Sequence, residues 1–309
     1  MAGGPKEAQA DTSDLIVRAV TLRLLAAALV TTMNATIKLA ETRGAHFAEI
    51  IFFRQAVAVP LVATVVALGP GLRSVATRRI GAHVVRAIVG LSSMACLFAS
   101  LLVLPLAEAT TFQFTVPIFA TILGALVLRE PTGWHRWSAV AAGFFGVLIV
   151  ARPGSGHIAL LGATFGLGAA LSSAIVSILL RQIGRTESAQ TTVFWFSTLS
   201  VPPLAVLYAF YVAPHPPTVW ALLVAIGLIG GAGQLALTAS LRHAPVSIVL
   251  PMDYSGLIWA TFYGWLLFAA LPDRATWLGA PLIIASGLYI VWREHRLRRA
   301  KTDRAVAQG

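Results

Sequence analysis

Ten separate apolar runs, each long enough to cross a bilayer as a helix, limit this chain more than any other feature. A hydrocarbon core about 30 Å thick takes about 20 apolar residues in helical form. Such runs fall at 18–40, 46–69, 82–104, 105–128, 136–151, 157–181, 190–213, 218–240, 244–270 and 274–292, the fifth being the shortest. Strands are not expected, because a membrane barrel alternates apolar and polar residues over about ten positions and these runs do not. Gly69-Pro70-Gly71, Arg152-Pro153-Gly154 and Pro214-His215-Pro216-Pro217 punctuate the breaks. Composition agrees: 57% of residues are hydrophobic and 11% charged, against about 45–50% and about 25% in a soluble domain. The fold class expected is an all-α polytopic membrane protein.

The formal charge of +11 would point to nucleic acid in a soluble protein. In this chain it becomes a question of where the charges sit, and no nucleic-acid partner is expected. With the N-terminus cytoplasmic, 18 Lys and Arg fall in cytoplasmic segments and only Arg43, Arg152 and Arg274 outside. That bias is the usual topology signal and would meet anionic lipid at the cytoplasmic face. The 18 include Arg23 and Arg86, while Lys38 and Arg54 stay inside spans. Residues 1–17 read as a polar, mobile cytoplasmic tail and 293–309 as a basic one. The first run reads as an uncleaved helix, since no convincing cleavage site precedes a polar mature domain. One cysteine, Cys96, excludes a disulfide framework or Cys-rich metal site. Neither metal nor cofactor is expected.

An internal repeat appears at an offset of 140 residues. Ala99-Ser100-Leu101 falls on Ala239-Ser240-Leu241, Pro105 on Pro245, Ala120-Thr121 on Ala260-Thr261, Gly124 on Gly264 and Leu126 on Leu266. Phe114 and Phe119 fall on Tyr254 and Trp259. Both copies cover the end of one span and the whole of the next. The chain divides into 18–151 and 157–292, five spans each. An odd number of crossings puts the second copy into the membrane upside down. Inverted repeats around a midplane site are a common construction of secondary transporters.

The residues also resemble a family. The first half runs Leu104-Pro105-Leu106-Ala107-Glu108-Ala109-Thr110-Thr111-Phe112, then Pro117-Ile118-Phe119, Leu128-Arg129-Glu130 and Ala142-Gly143-Phe144-Phe145-Gly146-Val147. The second span holds Glu49-Ile50-Ile51-Phe52-Phe53-Arg54. The last two hold Ala244-Pro245-Val246-Ser247, Asp253-Tyr254, Leu271-Pro272-Asp273 and Leu278-Gly279-Ala280. This is similar to the drug/metabolite transporter superfamily, in its ten-helix branch with two EamA-type domains. The family's closing Gly-Glu pair is reduced here to Glu130 in the first half and Ala269-Ala270 in the second. The resemblance implies a secondary carrier of a small organic metabolite in a bacterial inner membrane, working by alternating access. Residues 104–112 and the Asp-Tyr pair look similar to members that take up S-adenosylmethionine or riboflavin. An exporter of amino acids or drugs is the alternative, and a second copy of the chain is a further candidate partner.

A charge at the bilayer centre costs about 2.5–3.5 kcal/mol on insertion scales, so polar residues inside spans face a cavity or a partner. Arg54, about 12 Å into the second span, leads the candidates, either lining a substrate cavity or in a structural ion pair, with Gln55 beside it. Glu49 sits near the outer end and reads as a solvated rim residue. Glu108, Thr111, Phe112, Thr115 and Phe119 form one stripe of an unbroken helix. That stripe suits a substrate with polar and flat parts, or else helix packing with the Thr hydroxyls bonded to backbone. Asn34 and Lys38 share a face of the first span, Lys38 being able to snorkel. Tyr254 joins the substrate set. Asp253 is the candidate proton-coupling group, with a pairing to Arg242 or to a neighbouring helix as its alternative. Pro60, Pro117, Pro251 and Pro281 should bend their helices.

Catalysis finds no support in the chain. There is no His-Glu-x-x-His, no Gly-x-Ser-x-Gly elbow and no phosphate loop, so no enzyme is expected. A channel is the other rival, but no pore-loop signature is present.

Overall fold

The computed structural model describes residues 5–126, 133–152, 157–184, 186–243 and 250–307, and among these no strand occurs. Among the described residues, nine apolar helices or helix pairs are long enough to cross a membrane. Span 1 is Pro5–Thr42. Span 2 joins Phe47–Ala56 to Ala58–Leu68. Span 3 is Ile80–Val103, and span 4 joins Leu106–Gln113 to Val116–Leu126. Spans 5, 6, 7 and 8 are Trp134–Ala151, His157–Ile183, Ala189–Ala209 and Pro217–His243. Span 9 is a 3-10 turn, Leu250–Ser255, running into Gly256–Phe268. Span 10 is Arg274–Ala307. Span 9 is the run that falls short of a continuous crossing helix, because its first part lies outside the described residues and Pro251 interrupts the next.

Span 1 starts at Pro5, so its helix runs through residues 5–17. Span 10 likewise carries its helix through the basic segment to Ala307. Lys6-Glu7-Ala8 and Arg298-Arg299-Ala300-Lys301 are good helix formers, so a helix that begins in the membrane costs little to extend.

The unbroken stripe expected on span 4 is interrupted. Pro117 has no N–H to give to Gln113, and the helix stops at that residue. Phe114 and Thr115 turn through short i to i−3 bonds before it restarts. Pro60 similarly leaves Ala56 without its bond, and span 2 breaks at Val57. Pro281, by contrast, sits in a continuous helix.

Helix pairing follows the repeat. Span 1 packs on span 8, and span 3 on span 6; exchanging the halves turns one pair into the other. Spans 5 and 10 pack on each other, span 2 packs on span 8 and span 7 on span 3, and spans 2 and 7 pack on each other. Glycines permit the close pairs. A Cβ on Gly146 would sit 2.9 Å from the Gly279 carbonyl oxygen, and one on Gly279 would sit 2.6 Å from that of Gly146. The break in span 4 at Phe114–Thr115 corresponds, at the repeat offset, to Tyr254–Ser255, where the turn of span 9 becomes α-helix. The rings of Phe114 and Tyr254 meet edge to face at 4.9 Å. A residue touching its own repeat equivalent is what a two-fold axis between the halves produces.

Candidate functional site

The end of the bundle that holds Arg23 and Asp253 is called the near face, and the end that holds Glu49 and His215 the far face. Polar side chains inside the spans divide by depth.

At the far face they are paired. Glu49 is fully buried, which corrects the solvated rim expected. One carboxylate oxygen accepts from the His46 backbone N–H at 2.8 Å and lies 2.7 Å from His215 Nε2. His46 returns a bond from the Ala48 N–H, completing a capping box at the start of span 2. Aromatic rings extend this closure: Phe52 stacks on Tyr208 at 4.6 Å, and Phe53 meets Trp220 edge to face. The Lys38 ammonium donates to the Leu101 and Leu104 carbonyls at 2.8 and 2.6 Å, where span 3 ends and its last carbonyls lack helical partners. Glu108 is half-buried among the charges of Asp273, Arg152 and Lys38. Asp273 itself binds Arg152 at 2.5 Å and caps span 10 through the Thr276 N–H.

The near face is tied in the same manner. Asp253 holds Arg23 in a two-pronged pair, with Nε to Oδ1 at 2.6 Å and Nη2 to Oδ2 at 2.5 Å, joining span 9 to span 1. Its partner is therefore a neighbouring helix; Arg242's side chain lies outside the described residues. Thr77 donates to Glu187 at 2.7 Å, and Arg79 donates to Thr186. Trp195 Nε1 donates to the Val75 carbonyl.

Between these ends some polar atoms are bonded, as in the Ser93–Ser173 pair at 2.8 Å, and others lack a partner. Arg54 is 8% exposed and Arg86 5%, yet neither has a carboxylate among the described residues. Arg54 donates to Gln55 Oε1 at 2.6 Å and leaves its Nε unbonded. Arg86 lies 4.2 Å above the Phe196 ring, with Nε and Nη1 unbonded. Both ring nitrogens of His83, Asn34 Oδ1 and Gln55 Nε2 are unbonded as well. Small residues make the room. A Cβ on Gly90 would strike Arg86 and Phe196, and one on Gly230 would meet Met33 and approach Arg54 Nε.

Sequence reasoning found Arg54 and Asn34 in this group but missed Arg86 and His83. It counted Arg86 and Arg23 among charges of the cytoplasmic segments, whereas both are buried inside spans. A signal existed: His83, Arg86, Gly90 and Met94 recur at helical spacing, and all four face the interior. The expected stripe divides differently. Thr111 is fully buried with its hydroxyl bonded to the Ala107 carbonyl, and Phe112 packs in the core against Gly166. In this conformation neither touches open space, so the packing reading of the stripe holds for them. Gln113, off the stripe, reaches the Gly166 carbonyl. Tyr254 lies at the contact between halves, its hydroxyl against Gly287.

The fold is a helical membrane bundle whose two halves pair their helices in matching ways. Residues 17–152 and 160–292 match the EamA-like transporter family, and the chain belongs to that family. It is 31% identical over 238 residues to a riboflavin transporter of Vibrio cholerae, covering 75% of this chain and 78% of the relative. It is 30% identical over 278 residues to the pseudopaline exporter CntI of Pseudomonas aeruginosa, covering 88% and 95%. An S-adenosylmethionine uptake transporter of Rickettsia felis is 26% identical over 263 residues, covering 84% and 87%. One solved crystal structure shares the fold with a TM-score of 0.60 at 17% identity, over 90% of this chain and 98% of the other. The chain is thus an integral membrane transporter and not an enzyme.

Proposed function

We propose that the chain is a secondary carrier that moves a small organic metabolite by alternating access of two inverted five-helix halves. The observation that carries this reading is a contrast in charge pairing: Glu49 and Asp253 are tied to basic partners at the two faces, while Arg54 and Arg86 between them have no acid among the described residues. A carrier needs closures that open in turn around one central site. Arg23–Asp253 would act as the near closure, and Glu49–His215 with its aromatic neighbours as the far one. Asp253 is then a latch whose release could also admit a proton. Arg54, Asn34 and Tyr254 would contact substrate; Thr111 and Phe112 would support them, becoming exposed only when the halves rock. Glu108 would meet substrate at the far mouth.

The symmetric helix pairing and the matching breaks in spans 4 and 9 support the inverted repeat. The basic near face supports a bacterial inner membrane with cytoplasmic termini and anionic lipid there. Uptake of a flat metabolite such as riboflavin or S-adenosylmethionine is the first direction to test. Export is the second, favoured by the exporter relative that matches the greater share of this chain.

The test is flux in liposomes of purified protein, loaded or bathed with a labelled metabolite panel that includes riboflavin and S-adenosylmethionine. A carrier saturates and shows counterflow. Non-saturating flux without counterflow would make the chain a channel.

A further inference from the structure

Arg54 and Arg86 approach the same region from opposite faces. Arg54 stands about 10 Å below the far end of span 2, and Arg86 about 9 Å above the near end of span 3, at about 1.5 Å per residue. In a core about 30 Å thick this leaves about 10 Å between their levels, within reach of two long side chains. Spans 2 and 3, which carry the two arginines, are in contact, and neither guanidinium forms an ion pair among the described residues. Burying one unpaired guanidinium in a membrane protein is costly, and a second like charge beside it adds repulsion.

Packing does not offset that cost. Phe196 supports Arg86 through its ring face, a contact of modest strength. Gln55 accepts one bond from Arg54 and leaves its own Nε2 unused. The unbonded atoms are Nε of Arg54, Nε and Nη1 of Arg86 and Nε2 of Gln55. Every one of these four can donate and none can accept; the buried amide oxygen of Asn34 and one nitrogen of a neutral His83 are the unbonded acceptors in the same group, fewer than the donors and uncharged. A donor set of this kind is complete only around an acceptor-rich, negatively charged group. The faces of the protein solve the same problem with Glu49, Asp253 and Asp273; the middle has no acid of its own among the described residues.

We infer that Arg54, Arg86 and Gln55 form a central anion site, and that the transported metabolite carries a carboxylate or phosphate group bound there. This rests on the carrier reading and narrows it. A metabolite with two anionic groups could span both guanidiniums. A solute whose only charge is positive would be rejected by the same pair.

The experiment measures the melting temperature of the purified full-length chain in detergent at constant chloride. Succinate and inorganic phosphate are titrated in turn, with uncharged succinamide as the matched control. An anion that binds the folded state raises the melting temperature in a saturable way. The expected result is a saturable rise with succinate, phosphate or both, none with succinamide, and no rise in Arg54→Gln/Arg86→Gln. Comparing the two anions separates carboxylate from phosphate preference. Without ligand, the double variant should melt no lower than wild type, because an unpaired, repelling charge pair has been removed. The inference is overturned if neither anion exceeds succinamide, if the variant responds like wild type, or if the ligand-free variant melts several degrees lower. That last result would make the arginines structural. Vesicle flux separates this failure from that of the carrier reading. An anion-specific shift without flux removes the carrier but leaves the site; counterflow of an uncharged solute without any shift does the reverse.

Discussion

The faces and the middle of this bundle handle the same problem in opposite ways. Both bury charge in a membrane. At the far face Glu49 satisfies a helix start and a histidine together, and at the near face Asp253 grips Arg23 with two bonds. In the middle, Arg54 and Arg86 are buried too and have no acid among the described residues. The difference teaches that burial alone does not mark a site. A buried charge with its partner present holds structure; a buried charge without one is arranged for something that arrives.

That contrast can be broken experimentally, beginning where the effect should be greatest. Replacing Arg54 or Arg86 by Gln should cut transport by about 10-fold to 100-fold, the worth of one charged hydrogen bond. Membrane levels should stay normal, read by flux against immunoblot. Glu49→Ala should act oppositely. Removing one partner of a buried pair costs about 3–5 kcal/mol, so this variant should show a lowered melting temperature and poor membrane levels.

Asp253→Asn should have an intermediate effect, leaving Arg23 buried with a weaker partner. Loosened closure should show as faster labelling of a cysteine introduced at Tyr254, and the exchange Arg23→Asp/Asp253→Arg should slow it again. Unchanged labelling in Asp253→Asn would remove the latch. The smallest effect belongs to Lys38→Met. It should cost about 1–3 kcal/mol of stability from the lost bonds to the span 3 carbonyls, leaving flux per folded molecule at the wild-type value.

The spans, their order and the repeat were legible because each rests on local pattern: run length, punctuation and a fixed offset. Arg54 was legible because it stands alone in apolar sequence. Arg86 was not, because a basic residue six positions into a span looks like part of the topology signal until its face is known. Glu49 was misread for a related reason. Its position near a helix end suggests water, and only tertiary packing brings His215 and the aromatic rings of spans 7 and 8 over it. The stripe on span 4 rests on a single helical period, and the break at Phe114–Thr115 ahead of Pro117 sets Phe119 apart from Glu108, Thr111 and Phe112. Asp253's partner, 230 residues away in sequence, leaves no local trace.

The most direct measurement is counterflow in liposomes preloaded with an unlabelled organic anion that the wild-type chain transports. Wild type, Arg86→Gln and Lys38→Met are compared at equal amounts of folded protein. The account predicts that Lys38→Met exchanges label as wild type does, while Arg86→Gln does not. Full exchange by Arg86→Gln, with exchange lost in Lys38→Met, would contradict it.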